Sequence, residues 1–139
     1  MNDTRMDELE VAAVARLGRS LLARERNQQA RVLFSGLVAV RPGYGYAWHM
    51  LGIVHRRTGR LARAVDCFRR RLELTPATGT PSDSHGVDTS ILLAETLHEM
   101  GRTAAAIDTM RSVLSEAAPA ETSDDLMRAK VLIERWTGG

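Results

Sequence analysis

A set of small, aromatic and helix-ending residues recurs along this chain at a fixed distance of 34 positions. The clearest copy is YGYAWHMLGIVHRRTGRLARAVDCFRRRLELTP, from Tyr44 to Pro76. It reads as two short helices folded back on each other. Trp48, Leu51 and Gly52 open the first helix, Gly59 breaks the chain, Ala64 and Phe68 lie on one face of the second, and Pro76 ends it. Gly52 and Ala64 are small enough for two backbones to approach closely, while Trp48, Leu51 and Phe68 fill the volume around that contact. A shift of 34 takes Gly52 to Gly18, Leu51 to Leu17, Trp48 to Val14, Ala64 to Ala30, Phe68 to Phe34 and Pro76 to Pro42. One helix pair cannot bury its own apolar face, so a chain built of such pairs must stack them to make a continuous core.

The pattern resumes downstream at an offset of 42, which is 34 plus 8: Gly101 answers Gly59, Ala106 answers Ala64 and Met110 answers Phe68. These residues resemble the tetratricopeptide repeats, whose 34-residue unit carries W-x2-L-G near its start, Ala and Phe in its second helix and Pro at its end. The second repeat matches best. His55 stands where the family favours Tyr, Arg71 where it favours Ala, and Ser90 and Ala94 replace Trp and Gly in the third repeat. The resemblance implies an all-α, right-handed superhelical solenoid of three helix pairs plus a C-terminal capping helix. It forms a single domain, with repeats at about 11–44, 45–78 and 87–120, an inserted loop at about 77–86 and the capping helix at about 122–136.

Read along the chain, Thr4 with Asp7 resembles a capping box, and Met6, Leu9, Ala13, Leu17 and Leu21 follow at helical spacing, predicting a first helix from about Arg5 to Ala23. Asn27 starts a second helix, which Arg41-Pro42-Gly43 stops. ATGTPSDSHG, residues 77–86, has a loop composition and holds the eight extra positions. The third pair takes Asp88 to Met100 and Ala104 to Ala117, and a last helix follows Pro119, capped by Thr122 or Ser123, with acids in its first turn. The last helix supplies the cover a solenoid end needs. The outer side of the first helix, including Leu9 and Ala13, has no such cover, which makes a homodimer through that helix an expected partner interaction.

Composition narrows the function. At 139 residues the chain is one domain by length, no apolar run approaches the ~20 residues that span a bilayer, and MNDTRMDELE is neither a signal nor a transit peptide, so a cytoplasmic location without membrane insertion is expected. The single cysteine, Cys67, excludes an internal disulfide and reads as a small core residue. Through Arg71 there are 14 Arg against 6 acids, or +8; from Leu72 onward 5 basic residues face 11 acids, or −6. Since 18 of the 19 basic residues are Arg, the excess reads mainly as solvated helix surface.

Motifs that carry chemistry are missing: there is no phosphate loop, no G-x-G-x-x-G and no nucleophile elbow. His98-Glu99 begins like a zinc-protease motif, but Arg102 stands where the second His belongs. His98, Glu95 and His49 offer no metal-ligand spacing, so no enzyme activity, metal or cofactor is expected. Arg56, Arg57, Arg60, Arg63, Arg69, Arg70 and Arg71 occupy several helix faces with Asp66 and Glu73 among them and few aromatics, which argues against a nucleic-acid partner.

In the resembled family the first helix of each pair lines a groove that holds an extended peptide or a helix. Projected onto this chain, the groove takes Ala12, Ala15, Arg16, Arg19 and Leu22 from the first repeat. The second supplies Tyr46, His49, Met50, Ile53 and Arg56, and the third Asp88, Ile91, Leu92, Glu95 and His98. Tyr46, Met50, Ile53, Ile91 and Leu92 are the expected apolar contacts, with Arg19, Arg56, Asp88 and Glu95 as polar rim. Some family members clamp the carboxylate tail of heat-shock chaperones with Lys and Asn; here those places hold Ala15, Arg19, Met50, Asp88 and Leu92, so that ligand is not carried over. The size, the repeat count and the segments ARVLFSGLVAV and GIVHRRTGRLARAVDCF are similar to the class II chaperones of type III secretion, which hold hydrophobic translocators before export. The implied function is non-catalytic: a chaperone or adaptor binding a partner segment in the groove. The alternative is a structural or self-assembling subunit of a larger complex.

Overall fold

The computed structural model describes residues 7–74, 85–116 and 124–138, and within them it contains seven α-helices and no strand. These are α1 (Glu8–Ala23), α2 (Asn27–Val40), α3 (Gly45–Arg57), α4 (Leu61–Glu73), α5 (His85–Glu99), α6 (Thr103–Glu116) and α7 (Asp124–Gly138). They form two compact units, Met1–Leu74 and Thr75–Gly139. No described helix is long and apolar enough to cross a membrane.

In the first unit, α1 begins later than the spacing predicts. Its N-cap is Asp7: the Asp7 carboxylate accepts the Glu10 N–H at 2.8 Å, and Glu10 Oε1 accepts the Asp7 N–H at 2.9 Å. This reciprocal pair satisfies two helix-start donors at once and sets the boundary. Thr4, the other residue expected to cap, lies outside the described residues. The helix pairs then close as the repeat requires. A Cβ added to Gly18 would lie 2.7 Å from Phe34 Cζ, and one added to Gly52 would lie 2.5 Å from Phe68 Cε1. Each glycine is thus a socket for the ring of the following helix, and both rings are fully buried. Trp48 does more than fill space. It is half-buried against the core, carries the Arg70 guanidinium of α4 5.9 Å from its ring centre and donates its indole N–H to the Pro42 carbonyl at 2.8 Å, so it secures the α2–α3 junction as well as the helix contact.

Turns between paired helices share one geometry. Arg26, Arg60 and Arg102 donate their N–H groups to the carbonyls of Leu21, His55 and Leu97, five residues back, at 2.9, 2.8 and 2.8 Å. This closure needs a left-handed residue just before the donor. Gly59 (φ +79°) and Gly101 (φ +84°) supply it in two turns, and Glu25 (φ +59°) in the first.

The second unit packs α5 against both α6 and α7. Ala94 and Met110 take the places of Gly52 and Phe68 and are fully buried. Thr89 and Thr96 are fully buried as well, and Thr96 Oγ1 donates to the Leu92 carbonyl at 2.7 Å. His85 and Gly86, read from the sequence as the end of the inserted loop, belong to the start of α5; the remaining loop residues lie outside the described ones. Leu126, Ala129 and Leu132 form the buried face of α7, with Asp124 and Asp125 in its first turn.

His55 adds a pH dependence to the first unit. It is 7% exposed, its Nδ1 has no hydrogen-bond partner, and its pKa is lowered first by burial and then by Arg60, Arg63 and Arg31. Below an unfolded-state pKa of about 6.5 the unfolded chain takes up a proton that the folded chain refuses, so stability falls with pH there, by at most about 1.4 kcal/mol per unit. Thermal melts of the wild type and His55→Gln from pH 7.5 to 5.5 are expected to diverge, the wild type losing more. Parallel profiles would exclude His55 as the source.

Candidate functional site

The first unit carries an open cleft of about 240 Å³ lined by Ala12, Ala15, Arg16 and Arg19 of α1 with Tyr44 and Tyr46 at the start of α3. Its shape follows from residue size. Ala12 and Ala15 lie about one turn apart on α1 and leave space above the helix, while the tyrosines wall the other side. Phe34, seated in its Gly18 socket, meets Tyr46 edge-on at 6.5 Å, and Tyr46 leans on Tyr44 at 6.0 Å. The aromatic wall is therefore anchored in the repeat core. Tyr44 has its phenol pKa raised, chiefly by burial and then by Tyr46 and Glu8, so it stays a neutral hydrogen-bonding group at physiological pH.

Arg16 and Arg19 are exposed at the cleft, and neither forms an ion pair with a described residue. The nearby acid Glu8 is engaged elsewhere, pairing with Arg41 at 3.1 Å. Two guanidiniums thus flank an apolar cleft with no ion-pair partner among the described residues.

The other residues expected to line a groove divide by burial. Ile53, Arg56, Asp88, Leu92 and Glu95 are half-buried, with Ile53 and Arg56 on α3 and the other three on α5 of the second unit. Met50 and His49 are each 7% exposed and Ile91 is fully buried, so these three sit within the packed core. The reason is the stacking itself. Met50 lies on the α3 stripe with Ala47 and Val54, and all three join a cluster with Val11, Ala15 and Leu22 of α1 and Phe34 of α2. Leu22, projected into the groove, is in that cluster too. Glu95 is bound by Arg128 of α7, and His98 stacks on Trp136 at 4.6 Å while sharing a hydrogen bond with Thr103, so this end of α5 faces its own capping helix. Cys67 is buried with its thiol pushed up to about 11, first by desolvation and then by Asp66, which makes it unreactive at neutral pH. Among the described residues no group of three or more His, Cys, Asp or Glu side chains is placed to hold a metal.

The cleft sits in the best-conforming part of the repeat array. Residues 15–77 match the tetratricopeptide repeat. Within this tetratricopeptide segment fall the Gly18–Phe34 and Gly52–Phe68 sockets, Arg16, Arg19 and both tyrosines. Solved structures extend the likeness to nearly the whole chain. PcrH in complex with the chaperone-binding region of PopD superposes with a TM-score of 0.82 at 18% identity, covering 98% of each chain. A type III secretion complex from Aeromonas hydrophila gives 0.81 at 18%, over 95% of this chain and 83% of the other. The Yersinia enterocolitica type III secretion chaperone SycD, in complex with a peptide of the translocator YopD, gives 0.80 at 17%, over 97% and 96%. At such identities it is the fold that is shared: the all-helical, repeat-built architecture of these chaperones. No curated protein is matched by the sequence.

Of the cleft residues, sequence reading identifies Ala12, Ala15, Arg16, Arg19 and Tyr46 through the repeat register. Tyr44 escapes it because it precedes α3 and belongs to no helical stripe; the only signal is its spacing, two positions before Tyr46.

Proposed function

We propose that this protein is a non-catalytic binding module, a chaperone or adaptor that holds a segment of a partner protein against the exposed faces of its first-of-pair helices. The observation that carries the reading is the α1–α3 cleft, with its aromatic wall, alanine floor and the exposed Arg16 and Arg19, which pair with no described residue. Ile53 and Arg56, half-buried on α3, extend the contact surface within the first unit. A type III secretion translocator is the client class this reading favours, supported by the shared fold with PcrH and SycD, whose partners are PopD and a YopD peptide.

Ala12→Trp tests the reading. Ala12 is exposed on α1, so a larger side chain there fills the cleft without entering the core. A tagged pull-down from the native cell, wild type beside variant, is expected to return one dominant partner that the variant loses. Titration of that partner should then show at least about a tenfold weaker Kd, equivalent to roughly 1.4 kcal/mol. The variant should keep the wild-type helical signal and Tm, and wild-type affinity would overturn the reading.

One observation favours the second reading, self-assembly. Leu9, Ala13 and Leu17 form an exposed row on α1, with Leu9 at 81% and Leu17 at 54% exposure. One repeat later Ala47 and Leu51 are buried under neighbouring helices. A SycD crystal form is described as a dimer. If the pull-downs return only the protein itself, association through this row becomes the function to pursue.

A further inference from the structure

We propose that the segment held in the α1–α3 cleft carries a carboxylate within about two residues of its apolar anchor, so that the clients of this protein are acid-flanked rather than merely hydrophobic. The inference rests on the docking reading and adds the chemistry of the ligand. The cleft has two kinds of surface. Its floor and wall, Ala12, Ala15, Tyr44 and Tyr46, take an aliphatic side chain. Its edge is cationic, since Arg16 and Arg19 both line it, are exposed and pair with no described residue.

The described acids at the start of α1 are committed: Asp7 and Glu10 cap the helix reciprocally, and Glu8 holds Arg41. The surroundings reinforce the bias, because the first unit, Met1–Leu74, holds 14 Arg against 7 acids, a net +7. Spacing sets the register. Arg16 and Arg19 stand about one turn, ~5 Å, apart on one side of α1, and an extended chain covers ~7 Å in two residues, enough to span them. A side chain seated among the alanines and tyrosines therefore brings its near neighbours over the guanidiniums. A carboxylate there accepts charge-assisted hydrogen bonds from a planar donor fork. A lysine or arginine in the same place is repelled, which makes the pair of arginines a filter as well as an attachment.

Selection from a displayed library of random dodecapeptides tests this on the full chain, with Ala12→Trp as the blocked control. Peptides enriched on the wild type should share an apolar residue with Asp or Glu within about two positions. The acidic preference should vanish on Arg16→Gln/Arg19→Gln, persist on Arg16→Lys/Arg19→Lys, and leave the apolar preference intact throughout. The best peptide should bind the Gln variant about tenfold more weakly, with a shallower salt dependence. An apolar consensus with no acidic neighbour would overturn the inference while leaving the docking reading in place. No enrichment over the blocked control would overturn the docking reading, and this inference with it.

Discussion

Phe68→Ala is expected to cost the first unit about 3–5 kcal/mol, the range of a large ring removed from a core that cannot collapse around the gap. Phe68 is fully buried, and the side facing it across the helix pair is the bare backbone of Gly52, where even a Cβ would come within 2.5 Å of the ring. The neighbouring ring on that helix, His49, lies 6.2 Å from Phe68 centre to centre and is itself buried in the core. Urea unfolding followed by circular dichroism measures the loss; a cost below about 1.5 kcal/mol would mean the socket closes after all. The reciprocal change, Gly52→Ala, pushes a methyl into the ring and should cost about 1–3 kcal/mol. Combined with Phe68→Leu it should cost less than the sum of the two single changes, since the smaller side chain yields the space the methyl needs.

Met50→Arg is expected to unfold or severely destabilise the first unit, by about 3 kcal/mol or more, rather than to block a ligand on an intact surface. Met50 is 7% exposed and packed with Ala47, Val54, Val11 and Phe34, so an arginine there must bury a guanidinium among apolar groups or force the α1 and α3 helices apart. The melting temperature decides it. A folded variant with a wild-type Tm would show that the position 50 side chain reaches solvent and belongs to the contact surface. Set beside Ala12→Trp, which alters the cleft from an exposed position, the pair separates loss of binding from loss of fold.

The contrast between Met50 and Ala12 shows what the sequence makes legible. Fold class follows from the period: glycine opposite phenylalanine at a fixed spacing, twice over, permits little besides stacked helix pairs, and the third pair retains the design with alanine opposite methionine. Rotational position is harder. Met50 and Ile53 are three residues apart on α3, and projecting the repeat register onto both assigns them to the same groove. One is sealed by the preceding helices and the other half-open, and a shift of a few tens of degrees decides between them. The first turn shows another limit. Gly59 and Gly101 announce their left-handed turns, whereas Glu25 makes the same turn with no residue type to mark it. The closing Arg26-to-Leu21 hydrogen bond of the turn and the packing of both helices offset the local cost of a side chain in that conformation. Glu95 and His98 make contacts that the register does not announce, for a third reason. Their partners, Arg128 and Trp136, lie more than thirty positions downstream on a helix outside the repeat pattern, and periodicity says nothing about such contacts.

The exposed row on α1 also bears on how far copies of this chain are able to add to one another. Thirty-four positions before Met50 and Val54, which seal the α3 face, stand Arg16 and Ser20. A further helix pair docking on α1 in the manner of the first repeat on the second would trap a guanidinium and a hydroxyl where α3 makes dry contact. Leu9, Ala13 and Leu17 remain sticky, but only as a narrow strip to one side of these polar groups. A contact through it would be sidelong and self-limiting: two molecules would satisfy each other, and growth into an open-ended fibre would find no second register to follow.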